Sequence, residues 1–457
     1  MIERTIKEIA AMIKVENDIS PFENIKIKGV SIDTRTIEKG NLFIPFKGEK
    51  VDGHRYVEQA LEKGASAALW EKGVPNPPKN APIIIVEDGL LALQALANEY
   101  RHQLNLKVVG VTGSNGKTTT KDMIAKMLSV KYNVKKTAGN FNNHIGLPLT
   151  ILSLNEDTEV AVLEMGMSGF GEIELLSNIS HPDAAIVTNI GESHLQDLGS
   201  REGITTAKLE IVKGLKEDGL FVYFGDEQLL KEQVNELDIH RVETFGKNET
   251  NTIYPTKVEM DKNGSVFSVQ LTEEEFILPV LGQHNIHNAL GAMLIAKEFG
   301  ISFAEIKESL QSLKLTKMRM ELVEGKKGEK IINDAYNASP TSMRAAVELV
   351  AELEGYQTKI LVLGDMLELG EKEEEFHREI GEQIDAEKIE YVFTYGKLGR
   401  FIAEGAKSQF APTNVFHFEE KSRLVSKLTQ LIKGDELILV KASRGMRLEE
   451  VIDELKK

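Results

Sequence analysis

The stretch GVTGSNGKTTT, Gly110 to Thr120, decides the fold. It follows the apolar run KVVGV and opens a helical pattern over Lys121–Ser129. A glycine-rich turn between a strand and a helix leaves backbone N–H groups free to point at an anion, and the helix N-terminus adds positive potential at the same spot. Gly113, Ser114, Asn115 and Gly116 make the turn. Lys117 is placed to reach β- and γ-phosphates, and the hydroxyl of Thr118 or Thr119 to ligate Mg²⁺. The usual first glycine is missing: Val111 stands there, and the leading glycine is Gly113. GK[ST] alone is common by accident, so the alternative is a tight turn with a chance lysine. The flanking strand and helix favour a phosphate loop, and the chain is expected to bind ATP or a similar triphosphate.

Outward from that loop, 457 residues divide into about three domains. Hydrophobic content of 41% and charged content of 28% are ordinary for a globular chain. The net charge of -16 argues against non-specific nucleic-acid binding, which needs a basic surface. An anionic small molecule is still allowed, because a few local cations and Mg²⁺ set the potential of one cleft. The absence of cysteine excludes thiol catalysis, disulfides and thiolate metal sites. No apolar run approaches the ~20 residues of a membrane span. The first residues, MIERTIKEIAAMI, form an amphipathic pattern carrying acids rather than a signal peptide. The expected setting is cytoplasmic, without membrane insertion.

The texture of the chain predicts an α/β protein. Residues 1–87 are expected to form a small mixed α/β domain, 88–315 a central phosphate-loop parallel sheet, and 316–457 a Rossmann-like C-terminal domain. In the first, a helix is expected over Ile2–Ile13, then strand-like runs in IKIKGVSID and GNLFIPF, a helix over Val57–Lys63 and a strand over Ala81–Val86. In the second, EVAVLEMG, AAIVTNIG and GLFVYFG read as doubly covered parallel strands. VFSVQL and EEFILPVL alternate like an antiparallel hairpin, and a helix over His284–Phe299 follows. In the third, KIINDAY, KILVLGDM, YVFTYG and ELILVKAS alternate with helical stretches. Such alternation implies parallel sheets covered on both faces, with ligands at the carboxyl ends of the strands.

Several polar residues fall at those ends. Glu164 closes EVAVLE and His194 follows AAIVTNIG. Each is either an Mg²⁺ ligand near the phosphate loop or an ordinary strand-end and loop residue. Lys208, within TTAKLEIVKGL, reads on its own as a solvated helix lysine. Asn285 and Asn288 are one helical turn apart, so both amides either address one nucleotide or cap the helix. Arg319 and Asp334 flank the start of the third segment, and Asp334 is placed either for ribose hydroxyls or as a turn residue. Lys441, Ser443 and Arg444 end the last strand as a compact anion-binding candidate. Ser31, Thr34 and Arg35 lie in the polar stretch SIDTRTIEKGNLFIPFKGEKVDGH, suited to a diphosphate or to a loop-rich turn.

Taken together, TGSNGKTTT, NFNNHIGLP (Asn140–Pro148), LEMGMSGFGEI, TNIGESHL, TAKLEI and GQHNIHNALGA resemble, in order, the motifs of the Mur ligase family, the ATP-dependent amino-acid and peptide ligases of peptidoglycan synthesis. The resemblance spans nearly the whole chain. NDAYNASP (Asn333–Pro340) and LGDMLELG (Leu363–Gly370) are similar to the members that add D-alanyl-D-alanine to a UDP-N-acetylmuramoyl tripeptide, with Ser339 where asparagine is commoner. No DNPR motif, typical of the members that add the third residue, is present.

The resemblance implies roles. Lys117 neutralises the transferring phosphate. Thr118 and Glu164 hold one Mg²⁺. His194 and a carbamylated Lys208 hold a second. Asn285, Asn288, Arg319 and Asp334 engage ATP. Ser31, Thr34 and Arg35 lie near UDP, with Asn143 also at the substrate, and Ser443 and Arg444 face the incoming D-Ala-D-Ala. The implied reaction passes through an acyl phosphate that must be kept from water, so the third domain is expected to close over the second, with hinges near residues 87 and 315. A monomer is expected. Two rival readings remain at this point: another ligase of the same fold, including folylpolyglutamate synthase, and a nucleotide-dependent switch without ligase activity.

Overall fold

Short alternating runs make short strands, and the N-terminal unit is built of them. A computed structural model describes residues 1–49 and 51–457, so Lys50 within the polar stretch 31–54 lies outside the described residues. Strand β1 (Glu3–Thr5) pairs antiparallel with β2 (Lys26–Lys28). β3 (Val30–Ser31), β4 (Leu42–Phe43), β5 (Ala67–Glu71) and β6 (Ile83–Val86) form a parallel sheet in that order. The helix expected over Ile2–Ile13 is shorter and spans Ile6–Met12. Thr5 caps it through a reciprocal capping box with Glu8, and Glu3 pairs with Lys28 across the chain, so the first turn is lost to a strand.

The central sheet contains β7 (Lys107–Thr112), β8 (Val134–Lys136), β9 (Val160–Glu164), β10 (Ala184–Val187), β11 (Leu220–Phe224) and β12 (Val242–Phe245). Its order is β12-β11-β10-β7-β9-β8, and all pairings are parallel. The strand period of two divides each run between two cores. Val108, Ala161, Leu163 and Ala185 face one core, whereas Val109, Val160, Val162 and Ala184 face the other. The antiparallel hairpin expected from VFSVQL and EEFILPVL is present, with an extra strand, as β13 (Pro255–Asp261), β14 (Gly264–Val269) and β15 (Glu275–Leu278).

The C-terminal sheet contains β16 (Glu321–Glu324), β17 (Lys330–Asp334), β18 (Thr358–Gly364), β19 (Tyr391–Tyr395), β20 (Val415–Phe418) and β21 (Glu436–Lys441). Its order is β16-β17-β21-β18-β19-β20, parallel except for the antiparallel edge strand β16. The molecule is thus an α/β protein of three domains. Among the described residues no helix is long and apolar enough to cross a membrane.

The cores do not divide evenly among these sheets. The helix Gly89–Gln103 packs Leu93, Leu96 and Tyr100 into one cluster that holds Ile27, Leu42 and Ile84 of the N-terminal unit together with Leu147, Ile151 and Leu163 of the central one. The C-terminal sheet has its own two clusters, to which Leu281 is the central contribution. A shared apolar core resists opening, so residue 87 is a poor hinge, and the separately cored C-terminal domain is the part free to move. The Tyr100 hydroxyl, fully buried, donates to the Leu154 carbonyl at 2.9 Å and ties this shared core together. Tyr100→Phe should leave that carbonyl without its partner and cost about 1–2 kcal/mol, read as a lower midpoint in urea unfolding. An unchanged midpoint would remove the bond from the account.

Candidate active site

Strand β7 ends between β9 and β10, and all three strands deliver their next residues to one place. Val111 is in register with Glu164, and Thr112 with Val187. Between β7 and the helix Lys117–Leu128 lie the four residues Gly113–Gly116. Gly113 has φ +145°, and a Cβ there would collide with the side chain of Thr188. Gly116 has φ +78°, and its Cβ would lie 2.6 Å from Asn288 Oδ1. Both positions therefore need glycine, and Asn288 packs directly on the turn. No side chain caps the helix that follows, which leaves first-turn N–H groups for an anion.

The loop is held from β10. Asn189 accepts the Ser114 N–H at its carbonyl (3.0 Å) and the Asn115 N–H at Oδ1 (2.9 Å). Ser114 Oγ accepts the Gly191 N–H at 2.8 Å. The Thr119 side chain reaches the cavity wall from the helix's first turn. Lys117 folds back, and its Nζ donates to the Gly113 carbonyl at 2.7 Å. Burial pushes its pKa down, against the pull of Glu164, and the nearby Arg319 charge adds to the depression.

Glu164 is buried and carries the polar centre of the site. Its Oε2 accepts the Thr118 hydroxyl at 2.9 Å and lies 3.5 Å from Lys121 Nζ, and its Oε1 accepts Asn142 Nδ2 at 2.9 Å. Arg319 Nη2 donates to Thr118 Oγ1 at 3.1 Å, and its guanidinium lies 4.0 Å over the Tyr336 ring. Arg319 is flanked by two methionines in left-handed backbone, Met318 (φ +64°) and Met320 (φ +51°). Such conformations cost about 1–3 kcal/mol each and persist only where neighbours enforce them. Here Glu321 takes the Met318 N–H and Asp334 the Met320 N–H.

Lys208 lies on the helix Arg201–Leu209 and is 2% exposed. The solvated lysine that its sequence alone suggests is therefore not what is found, because the helix turns this face into the cavity. Among the described residues it has no ion-pair partner, and burial, reinforced by the Lys117 charge, holds its pKa well below the ordinary lysine value. His194 lines the same cavity, with Nδ1 held 2.8 Å from Glu368 Oε2 of the C-terminal domain. That bond holds the Glu368 carboxyl below its usual range.

The donor set can be tested against magnesium. Among the described residues no three of His, Asp and Glu gather as a metal cluster. Thr118 Oγ1 and Glu164 Oε2 are hard oxygen donors side by side, which fits an ion that takes few protein ligands and completes its shell with phosphate and water. Lys208 fits such an ion only as a carbamate, since an amine is neither anionic nor an oxygen donor.

A cavity of about 500 Å³ runs between the central and C-terminal domains, lined by Lys117, Glu164, His194 and Lys208 on one side and by Arg319, Asp334, Tyr336 and Arg444 on the other. Asn143, Asn285 and Asn288 also line it. Asn143 Oδ1 takes the Gly146 N–H at 2.8 Å, and Asn288 Nδ2 donates to Asn285 Oδ1 at 3.1 Å. Asp334 does not stand free: its Oδ2 pairs with Lys441 Nζ at 2.5 Å. Ser443 does not line the cavity; it is buried, and its Oγ accepts the Leu367 N–H at 2.9 Å. Arg444 pairs with Glu449 at 2.8 Å beside Tyr336.

Ser31, Thr34 and Arg35 lie apart, in the N-terminal unit. Ser31 helps line a smaller cavity of about 210 Å³ against the helix Gly146–Leu152. The exposed Arg35 pairs with Asp33, and the Thr34 carbonyl accepts Lys63 Nζ.

Asn142, Asn189, Tyr336 and Glu368 were not singled out from the sequence. They lie in NFNNHIGLP, AAIVTNIG, KIINDAY and LGDMLELG, and only the folded contacts distinguish each from its neighbours.

Lys208, buried without an ion-pair partner among the described residues, should make stability depend on pH. A lysine whose folded pKa lies below its unfolded value binds more protons when unfolded, so wild-type stability should rise with pH toward the ordinary lysine range. In CO₂-free buffer, Lys208→Met should be more stable than wild type at pH 6, and the gap should narrow as pH rises. A gap independent of pH, measured by chemical unfolding, would contradict the buried, unpaired amine.

Three Mur ligase family descriptions match the chain: "Mur ligase family, catalytic domain" over residues 26–101, "Mur ligase middle domain" over 111–296 and "Mur ligase, glutamate ligase domain" over 318–444. The UDP-N-acetylmuramoyl-tripeptide–D-alanyl-D-alanine ligase of Bacillus subtilis (strain 168) is 53% identical over 455 residues, covering 100% of this chain and 99% of the relative. A crystal structure of MurF from Acinetobacter baumannii superposes with a TM-score of 0.90 at 28% identity, covering 100% of this chain and 99% of that one. MurF ligase from Thermotoga maritima in complex with ADP superposes with a TM-score of 0.83 at 30% identity, covering 94% and 97%. With the phosphate loop, the shared cavity and these matches in hand, the chain belongs to the Mur ligase family.

Proposed function

We propose that this chain is an ATP-dependent ligase that joins D-alanyl-D-alanine to a UDP-N-acetylmuramoyl tripeptide through an acyl phosphate, in the cytoplasmic synthesis of peptidoglycan precursors. The observation that carries the reading is full-length identity of 53% to a ligase of that name. The geometry around Lys117 and Glu164 supplies the chemistry.

A carboxylate does not condense with an amine at neutral pH, because oxide is too poor a leaving group. In the proposed first step, the terminal carboxylate of the tripeptide attacks the γ-phosphorus of ATP, forming an acyl phosphate and releasing ADP. The amine of the dipeptide then attacks the acyl carbon, and phosphate leaves from the tetrahedral intermediate, carrying the former carboxylate oxygen. The amine proton is lost as the amide forms.

Every partner in the first step is anionic, so the task for the protein is to offset charge. Gly113–Thr119 wrap the phosphates with backbone N–H groups. Lys117 exchanges its bond to the Gly113 carbonyl for a phosphate oxygen. Arg319 is released from Thr118 to meet the same charge. Thr118 and Glu164 would hold one Mg²⁺, and His194 with a carbamylated Lys208 would hold a second. When bound, such ions would supply positive charge to offset the triphosphate and the reacting carboxylate. Burial lowers the Lys208 pKa and so favours the neutral amine, which adds CO₂ and loses a proton to give an anionic carbamate. With Nδ1 of His194 held by Glu368, Nε2 is the nitrogen left for an ion.

Asn285 and Asn288 back the phosphate loop and, with Asp334, approach the nucleoside. Residues 1–87 take the UDP end through Ser31, Thr34 and Arg35. Residues 88–315 hold ATP. Residues 316–457 bring Arg444 to the dipeptide, while Ser443 fixes the Leu367 loop beside it. Asn143 faces the tripeptide across the cavity. The protein acts as a monomer.

Phosphate release from ATP should require both the UDP-tripeptide and D-Ala-D-Ala. Release with glutamate in place of the dipeptide would favour a folate-type ligase, and release with neither would favour a switch. Lys117→Ala should lose about 10³-fold in kcat with its unfolding midpoint kept. Lys208→Ala should lose activity, and short carboxylic acids such as formate should restore part of it. A fully active Lys208→Ala would refute the carbamate.

A further inference from the structure

The loop after β10 has two faces. On one, Asn189 and Gly191 hold the phosphate loop through Asn115 and Ser114. On the other, Glu192 reaches the C-terminal domain. Its Oε2 accepts the Thr341 backbone N–H at 3.1 Å, and the Thr341 hydroxyl lies 2.8 and 3.0 Å from its two oxygens. Thr341 is the second residue of the helix Pro340–Glu352, capped by Ser339.

The first turn of that helix explains why an outside carboxylate belongs there. Pro340 has no N–H to satisfy, and the Ser342 N–H is taken by Ser339 Oγ at 3.4 Å. The Thr341 N–H is the remaining first-turn donor, and its partner comes from the other domain. A carboxylate at a helix N-terminus is also favoured by the helix dipole. Ser339 itself lies 3.3 Å from Asn115 Oδ1 of the phosphate loop. One short loop therefore sets both the loop that grips phosphate and the end of the helix that follows Tyr336 and Asn337.

We propose that Glu192 is an interdomain positioning residue: by capping the helix Pro340–Glu352 from the central domain, it holds the C-terminal domain over the phosphate loop. It touches no reacting atom. The clamp is made of hydrogen bonds at a solvent-accessible seam between two separately cored domains, and such bonds are individually weak. That weakness suits a contact that forms and breaks in each catalytic cycle. The kinetic part of the inference rests on the ligase reading, because the dipeptide is then held from the C-terminal domain, whereas ATP is held chiefly by the phosphate loop of the central domain, with Arg319 and Asp334 adding to it.

The absence of cysteine allows a direct test. Spin labels on cysteines replacing the exposed Val130 and Glu387 report the distance between the two domains by electron–electron resonance. The Glu192 background should give one narrow distance distribution. Glu192→Ala should broaden it or shift it to longer distances, whereas Glu192→Gln, whose amide oxygen still accepts the Thr341 N–H, should retain most of the narrow component. In the assay, Glu192→Ala should raise KM for D-Ala-D-Ala about 10-fold, as expected when the competent arrangement falls to about a tenth of the population, with a clearly smaller rise in the ATP dissociation constant. Thr341→Val should act in the same direction and add little to Glu192→Ala. An unchanged distance distribution in Glu192→Ala would overturn the clamp, and so would an equal weakening of ATP and dipeptide. Failure of the wild type to use the dipeptide would count against the ligase reading alone, since the distance measurement stands without turnover.

Discussion

Positive charge is buried around one carboxylate, and the rest of the site depends on that imbalance. Lys117, Lys121 and Arg319 converge near Glu164, and Lys208 lines the same cavity, in a chain whose overall charge is -16. Buried charge without a partner is costly, so the arrangement persists only by local makeshifts. Lys117 leans on its own loop, Arg319 leans on Thr118 and Tyr336, and Lys208 has no partner among the described residues. Each makeshift is weaker than the bond an anion would offer. The cavity is thus prepared for anions before they arrive, which is the condition for electrostatic stabilisation without large reorganisation.

The distribution of apolar surface determines which parts can move around that charge. The helix Gly89–Gln103 welds the N-terminal sheet to the central one through a common core. The C-terminal sheet is packed within itself and meets the central domain mainly through polar contacts: Glu192 to Thr341, Glu368 to His194, Ser339 to Asn115 and Arg319 to Thr118. Such contacts exchange readily with water, so the seam that encloses the cavity is also the one that can open. The strained backbone at Met318 and Met320 lies at the junction of the two domains, where a change of φ would be felt most.

Much of this was legible in the chain because its signals are local. The phosphate loop is a spacing of glycines and a lysine, and strand ends such as Glu164 follow from the length of an apolar run. The antiparallel hairpin and the parallel strands announce themselves by their period. What was hidden depends on distant partners. The helix expected over Ile2–Ile13 lost its start because Glu3 pairs with Lys28. Lys208 reads as a surface lysine until the helix that carries it is packed. Ser443, placed by its neighbours among anion-binding candidates, holds the Leu367 backbone instead. Glu368, within LGDMLELG, has no local signal of its own, yet it crosses the domain seam to His194.

The account stands on activation of a carboxylate by phosphoryl transfer in the positively charged cavity. The most direct measurement follows an oxygen atom: UDP-tripeptide labelled with ¹⁸O in its terminal carboxylate is turned over with ATP and D-Ala-D-Ala, and the released phosphate is examined by mass spectrometry. The account predicts one labelled oxygen in each phosphate formed, because phosphate departs with the oxygen that attacked it. Phosphate free of label, with amide product accumulating at the same rate, would contradict it.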